Sequence, residues 1–230
     1  MMLIFVPIMV PVTFSTPTVP LTNPLEAKLV QLINGAALEA DIAAAVLCLE
    51  DEGGICKPAL SPLIQGKWTL LHSSSSNFDL RNPLGRRVDG TTPGLEGIFA
   101  GIAGDVGERI VASSSPIQRA VTGRFQVTQE IGGGRVAQRV SIGSFGVLHL
   151  NAAARVDAAA PMRISFAFDE GYFESQDAGL RLPYPVPFRL LGKEAEGFLD
   201  TSYLSDSLRI STGNKGTRFI LQRELASTFT

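Results

Sequence analysis

His72 stands directly before Ser73, Ser74, Ser75 and Ser76, and a histidine beside a hydroxyl is the raw material of a nucleophilic site. The spacing does not build one. Adjacent residues of an extended strand point to opposite faces, and the chain contains no Gly-x-Ser-x-Gly elbow, so the serine run reads as a loop. His149 lies in VLHLN among apolar neighbours and reads as a hydrogen-bonded core or surface histidine. Glu194, Glu196, Asp200 and Asp206 gather carboxylates in one segment, without the paired spacing of a glycosidase or the pattern of a Ca²⁺ loop. Two histidines so far apart make no metal site without carboxylates beside them. GIFAGIAGDVG (97–107) and IGGGRV (131–136) lack the Lys-Ser/Thr ending of a phosphate loop; they read as turns, with Gly97, Gly101 and Gly123 suited to tight bends. The residues therefore predict a protein that is not an enzyme and holds no metal or cofactor.

One constellation pairs the start of the chain's β-rich part with its end. Gly66-Lys67-Trp68 opens a strand, and alternation aims the sole tryptophan at one face together with Leu70 and His72. Near the other end, in YLSDSLRIST, Leu208 and Ile210 share one face while Ser207, Arg209 and Ser211 share the other. If the last strands pair back beside the first, as in a closed antiparallel barrel, Arg209 can lie over the Trp68 indole and seal one end, a cation–π contact worth about 0.5–2 kcal/mol. The same spacing also fits an exposed Arg209 beside Asp206, and Arg218 on the next strand is a competing partner for the indole.

The elements that would position these residues follow from periodicity. Asn23, Pro24 and Glu26 make a helix start of the capping-box kind. Leu25, Leu29, Leu32 and Ile33 then share a face, Asn34-Gly35-Ala36-Ala37 interrupts, and Leu38, Ile42, Ala45, Val46 and Leu49 resume it, predicting two short helices or one kinked helix. Their apolar stripe is expected to cover an opening in the following domain. After Pro58 and Pro62, short runs of alternating polarity recur between Gly-, Ser- and Pro-rich breaks; in one of them Met162, Ile164, Phe166 and Phe168 point one way. LRLPYPVPF (180–188) reads as an extended crossing. The fold class expected is mainly β: an antiparallel barrel over residues 58–230, preceded by a helical segment over 23–57. Residues 1–22, apolar but studded with Pro7, Pro11, Pro17 and Pro20, are expected to be disordered or a residual targeting segment.

Composition narrows the partners. With 45% hydrophobic and 18% charged residues, 230 residues suffice for a substantial core. A net charge of −2 and no local basic patch argue against nucleic acid. Cys48 and Cys56 read as reduced thiols, although their spacing across Gly53-Gly54 would let them meet as a redox-sensitive pair.

SPLIQGKWTLLHSSS (61–75) together with GFLDTSYLSDSLRISTGNKGTRFIL (197–221) resembles the plastid lipid-associated protein family, the plastid fibrillins or plastoglobulins. The residues that carry the resemblance include Gly66, Asp200, Tyr203, Asp206, Arg209, Gly213, Lys215 and Gly216; Ser205 and Thr212 depart from the family's acidic and basic residues at their positions. The resemblance implies a lipocalin-like barrel in the plastid, associated with thylakoids or plastoglobules. It implies binding of hydrophobic small molecules such as quinones, carotenoids or fatty acids, or of lipid surfaces. Phe125, Val127, Phe145, Val147, Phe166 and Phe168 are the candidate lining, with ordinary packed core as the other role open to each. The alternative is a structural scaffold with a filled barrel that coats lipid bodies or bridges photosynthetic membrane proteins. An apolar hollow of about 300 Å³ or more would favour the carrier.

Overall fold

The computed structural model describes residues 17–74, 125–142, 146–175, 179–183, 195–214 and 216–225, with the side chains of Phe125 and Ile142 excepted. Among the sequence expectations, those on residues 1–16, Ser75 and Ser76, Gly97, Gly101, Gly123, Phe145, Glu194, Lys215 and most of 180–188 lie outside the described residues.

Two helices lead. α1 (Pro24–Asn34) starts where Asn23 accepts a hydrogen bond from the Leu25 amide and Pro24 supplies a preset φ. α2 (Glu39–Glu52) follows the break at Gly35 and Ala36. Two single 3₁₀ turns, Pro58–Leu60 and Pro62–Ile64, lead into the sheet. The strands described are β1 (Gly66–Ser73), β2 (Phe125–Gly132), β3 (Arg135–Ile142), β4 (Gly146–Val156), β5 (Arg163–Ser175), β6 (Arg181–Pro183), β7 (Glu196–Leu204), β8 (Leu208–Gly213) and β9 (Arg218–Arg223).

All pairings are antiparallel, in the order β4-β3-β2-β1-β9-β8-β7-β5-β6, and β4 also pairs with β5. That extra pairing closes eight strands into a ring, with β6 appended to β5. The first strand and the last are neighbours, with Trp68 opposite Arg223 and Leu70 opposite Leu221. The architecture is thus mainly β with two helices ahead of it, as the alternation of the sequence predicts.

Period-2 alternation sorts β8 into two buried faces. Leu208 and Ile210 pack with Tyr203, Ile220 and the helix residues Leu29, Ile42, Val46 and Leu49. Leu204 and Leu221, the residues flanking Arg209 in register, join Trp68, Ile131, Val136, Ala152 and Ile164 in a second cluster inside the ring. The helices therefore cover the outer face of β7–β9 rather than an opening. Three register shifts, at Leu70/His72, Asn151/Ala152 and Thr201/Tyr203, reset which side chains face inward. The first corrects an expectation: His72 does not share the face of Trp68 and Leu70, because the shift places it opposite Ile220 on the helix-covered side, 3.1 Å from Glu39. Met162 likewise lies before β5 and is 40% exposed, outside the stripe expected of it.

The segment 17–19, left out of the expected fold, pairs with the end of β9. Val19 donates to the Arg223 carbonyl, Leu225 to that of Pro17, and Gln222 Nε2 to that of Val19. Backbone groups at the strand's end gain partners by this pairing.

Candidate binding site

At one end of the ring the Trp68 indole is fully buried and donates from Nε1 to the Ile64 carbonyl at 3.0 Å. Two guanidinium groups lie over its ring, that of Arg209 at 5.0 Å and that of Arg223 at 4.2 Å from the centroid. Arg223 donates to the carbonyls of Asp206, Gln65 and Leu63, so it and the indole together satisfy three consecutive carbonyls at the end of the second 3₁₀ turn. Gly66 makes this approach possible: its φ is +118°, and a Cβ there would sit 2.7 Å from Arg223 Nη1.

Arg209 is different in kind. Only 1% of it is exposed, and it reaches through the interior from β8 to β2, where Nη2 donates to Gln129 Oε1. Among the described residues its Nε and Nη1 have no hydrogen-bond partner. Burial, and then the nearby charge of Arg223, press its pKa down to about 9, which leaves it charged at neutral pH. Burial also lowers the pKa of Arg223. Sequence reasoning missed Arg223 and Gln129. The alternation Phe219, Leu221, Arg223 and the register of a first strand against a last one carried the signal for the former; for Gln129 only the three-dimensional closure does. Arg218, the competing candidate, faces outward, 3.8 Å from Glu50.

Around Trp68 the inward residues are buried; Phe166, Phe168, Phe219 and Leu70 pack at the margin of that cluster and keep part of their surface accessible. Phe166 and Phe168 meet edge to face at 5.3 Å, and the Phe166 ring fills the space where Gly197 lacks a Cβ, 2.7 Å from that position. Val127 faces inward opposite the fully buried Val140; the side chain of Phe125, the other candidate on this strand, lies outside the described residues. Val147 corrects the expected lining. It stands opposite Ser141 and Glu174 on the outer face, since alternation turns its neighbours Leu148 and Leu150 inward. Thr201 and Ser211, both buried, face each other inside at 3.0 Å.

The remaining signature residues that are described make their contacts within the fold. Asp200 receives two hydrogen bonds from Arg163, at 2.7 and 2.6 Å, on the outer side of the ring. Asp206 is exposed in the β7–β8 turn, so the two aspartates serve separate contacts. Tyr203 donates to Glu26, and burial together with that carboxylate raises its pKa. Gly213 ends β8, and Gly216 turns with φ +76°. Cys48 and Cys56 are both exposed and unpaired.

His149 stacks on Tyr172 at 4.5 Å on the outer face, with Nε2 3.3 Å from Glu174 but forming no hydrogen bond. Burial, then Arg139, lowers its pKa below the usual 6.5. Below that value the unfolded chain binds a proton that the native imidazole does not, so stability falls on acidification from about pH 6.5. His149→Gln is expected to reduce that acid-side decline, read from urea unfolding at a series of pH values; an unchanged slope would remove His149 as its source.

Two clefts border the described residues. One of about 280 Å³ lies outside the ring between α2 and the outer face, lined by Ile42, Val46, His72, Arg218 and Ile220 among others. The other, about 170 Å³, lies beside the Gly132–Gly134 turn and Ile64, so neither of these two is the hollow of about 300 Å³ that would favour the carrier.

The model of the family described as PAP_fibrillin matches residues 25–222, from the first turn of α1 to the penultimate residue of β9. The chain belongs to the PAP_fibrillin family. A relative, probable plastid-lipid-associated protein 12, chloroplastic, from Arabidopsis thaliana, is 38% identical over 194 residues, covering 80% of this chain. The chain spans 38% of that relative's length. A lipocalin-like protein from Bacteroides uniformis, known from its crystal structure, aligns with 70% of this chain and 98% of its own at 13% identity, with a TM-score of 0.35, too low to carry an argument. The PAP_fibrillin match includes Trp68 and Arg209, and Arg223 falls one residue beyond it.

Proposed function

We propose that the chain is a non-enzymatic plastid protein that binds hydrophobic small molecules inside its strand ring. Trp68, Arg209 and Arg223 act as the plug of one end. The observation that carries this reading is the inward margin of Phe166, Phe168 and Phe219, apolar rings left part-accessible inside a ring of paired strands. An apolar molecule seated there removes surface from water at about 25 cal/mol per Å². Membership of the PAP_fibrillin family and the plastid-lipid name of the Arabidopsis relative support the lipid class and the compartment. Quinones, carotenoids and fatty acids are the candidate cargo, and thylakoids or plastoglobules the candidate sources.

The alternative, a coat on lipid bodies or a bridge between photosynthetic membrane proteins, needs a continuous apolar outer patch. The most exposed large apolar residues of the helical layer, Leu38 at 74% and Leu47 at 55%, do not provide it. At 3.6 residues per turn they fall about 180° apart around the helix axis. The carrier reading is tested by isolating the native protein from plastids and identifying co-extracted lipids and pigments by mass spectrometry. Near-stoichiometric recovery of an apolar compound is expected. Recovery of none, with no uptake of an apolar fluorophore by the purified chain, would overturn it.

A further inference from the structure

Arg209 is a buried cation without a buried anion. Among the described residues no carboxylate pairs with it; its one hydrogen-bond partner is the neutral Gln129, and two of its three guanidinium nitrogens donate to nothing. Arg223, which shares the Trp68 ring with it, has the same sign and commits its three nitrogens to backbone carbonyls. Buried charges in folded proteins are ordinarily paired. Elsewhere the chain satisfies its charges: Arg163 takes Asp200 and Arg135 takes Asp169 at the surface, each through two hydrogen bonds, and the buried Glu26 carboxylate accepts three from neutral hydroxyls. The exception falls where polar groups gather inside an otherwise apolar interior. Arg209, Ser211 and Thr201 share the inward face of neighbouring strands β8 and β7, and Gln129 lies across from them. The apolar rings Phe166, Phe168 and Phe219 border the same interior.

We infer that Arg209 and Gln129 form a head-group subsite for an amphiphile bearing one carboxylate, an unesterified fatty acid, whose tail runs along Phe166, Phe168 and Phe219. The inference rests on the carrier reading above and names its ligand class. A carboxylate supplies acceptors for Nε or Nη1 and brings the single negative charge that one uncompensated guanidinium requires. A doubly charged phosphate head would replace one buried imbalance with another, because Arg223 is already engaged. A quinone carbonyl accepts a hydrogen bond but brings no charge, and a carotene does neither.

The test uses the purified full chain with oleate and oleyl alcohol, which share a tail and differ in charge. Binding is followed by titration calorimetry and by the emission of Trp68, which lies 5.0 Å from the Arg209 guanidinium. Oleate is expected to bind at least about tenfold more tightly than the alcohol, the ratio that one charge-assisted hydrogen bond supplies. Arg209→Met is expected to bring the ratio to about one. Because that variant also disturbs the packing on Trp68, Gln129→Glu provides a second reading. It places a carboxylate of the chain itself on Arg209, and is expected to abolish the preference for oleate in a protein that remains folded. Equal binding of oleate and the alcohol by the unaltered chain would overturn the head-group subsite and leave the carrier standing. Binding of neither would overturn both. A preference that survives in Gln129→Glu would overturn the assignment to Arg209.

Discussion

Trp68→Ala is expected to destabilise the protein by about 3–5 kcal/mol, the range for deleting a large aromatic side chain from a filled site. The indole is fully buried, packs among Ile64, Ile131, Val136 and Leu221, and holds the Ile64 carbonyl. Its loss opens a cavity at the junction of β1, β2 and β9 and strips the stacking surface from two guanidinium groups at once. Arg209, already short of acceptors, would then lack its aromatic partner too. Urea unfolding followed by circular dichroism measures the change, since the fluorophore itself is removed. Trp68→Phe keeps most of the apolar volume but gives up the hydrogen bond to Ile64, for an expected cost nearer about 1–2 kcal/mol. A loss below about 1 kcal/mol for the alanine variant would mean that the assembly does not hold the ring together.

Glu26→Ala is expected to cost about 3 kcal/mol, although it lies on a helix and touches no other helix core residue through its carboxylate. The sequence marks Glu26 as a capping-box residue; the structure turns it into the sheet. Only 1% exposed, it accepts hydrogen bonds from Tyr203 Oη at 2.9 Å, Ser205 Oγ at 2.6 Å and Ser207 Oγ at 2.6 Å. This one carboxylate therefore fastens α1 to the turn between β7 and β8. Hydrogen bonds to a charged group contribute about 1.5–3 kcal/mol each, and removing the shared acceptor leaves the buried phenol of Tyr203 unsatisfied. Glu26→Gln keeps the shape and one acceptor oxygen, and is expected to recover roughly half of the loss. If Glu26→Ala unfolds at the same urea concentration as the unaltered chain, the helical layer is held by its apolar contacts alone.

The helices and the β class are legible because their signals are local. Asn23, Pro24 and the stripe through Leu29, Ile42, Val46 and Leu49 need only a window of a few residues, and each sits where the periodicity puts it. The site is legible only in part, because its geometry depends on register. Alternation puts Trp68 on one face with Leu70 and Arg209 on one face with Ser211, but leaves open whether the Arg209 face meets water or the interior; the structure buries it. The same counting fails across an added residue: His72 lies past the shift at Leu70, and the count turns it inward while the fold turns it out toward Glu39. Val147 fails for another reason. VLHL reads equally well with Val147 and His149 inside or with Leu148 and Leu150 inside, and only pairing with Val140 and Phe173 decides. Arg223 and Gln129 belong to contacts that no single strand contains.

Closing the ring through its first and last strands has a kinetic consequence. Arg223 donates to carbonyls at Gln65 and Leu63, across sequence separations of 158 and 160 residues. A chain emerging from its amino end exposes β1 with one edge unmatched until β9 arrives. Long-range pairings of this sort slow the final assembly step and lengthen the time in which an open strand edge can meet other chains. Truncation just before Arg218 should accordingly yield not a weakened protein but one unable to complete its cylinder, prone to aggregate through the edge that β9 would have sealed.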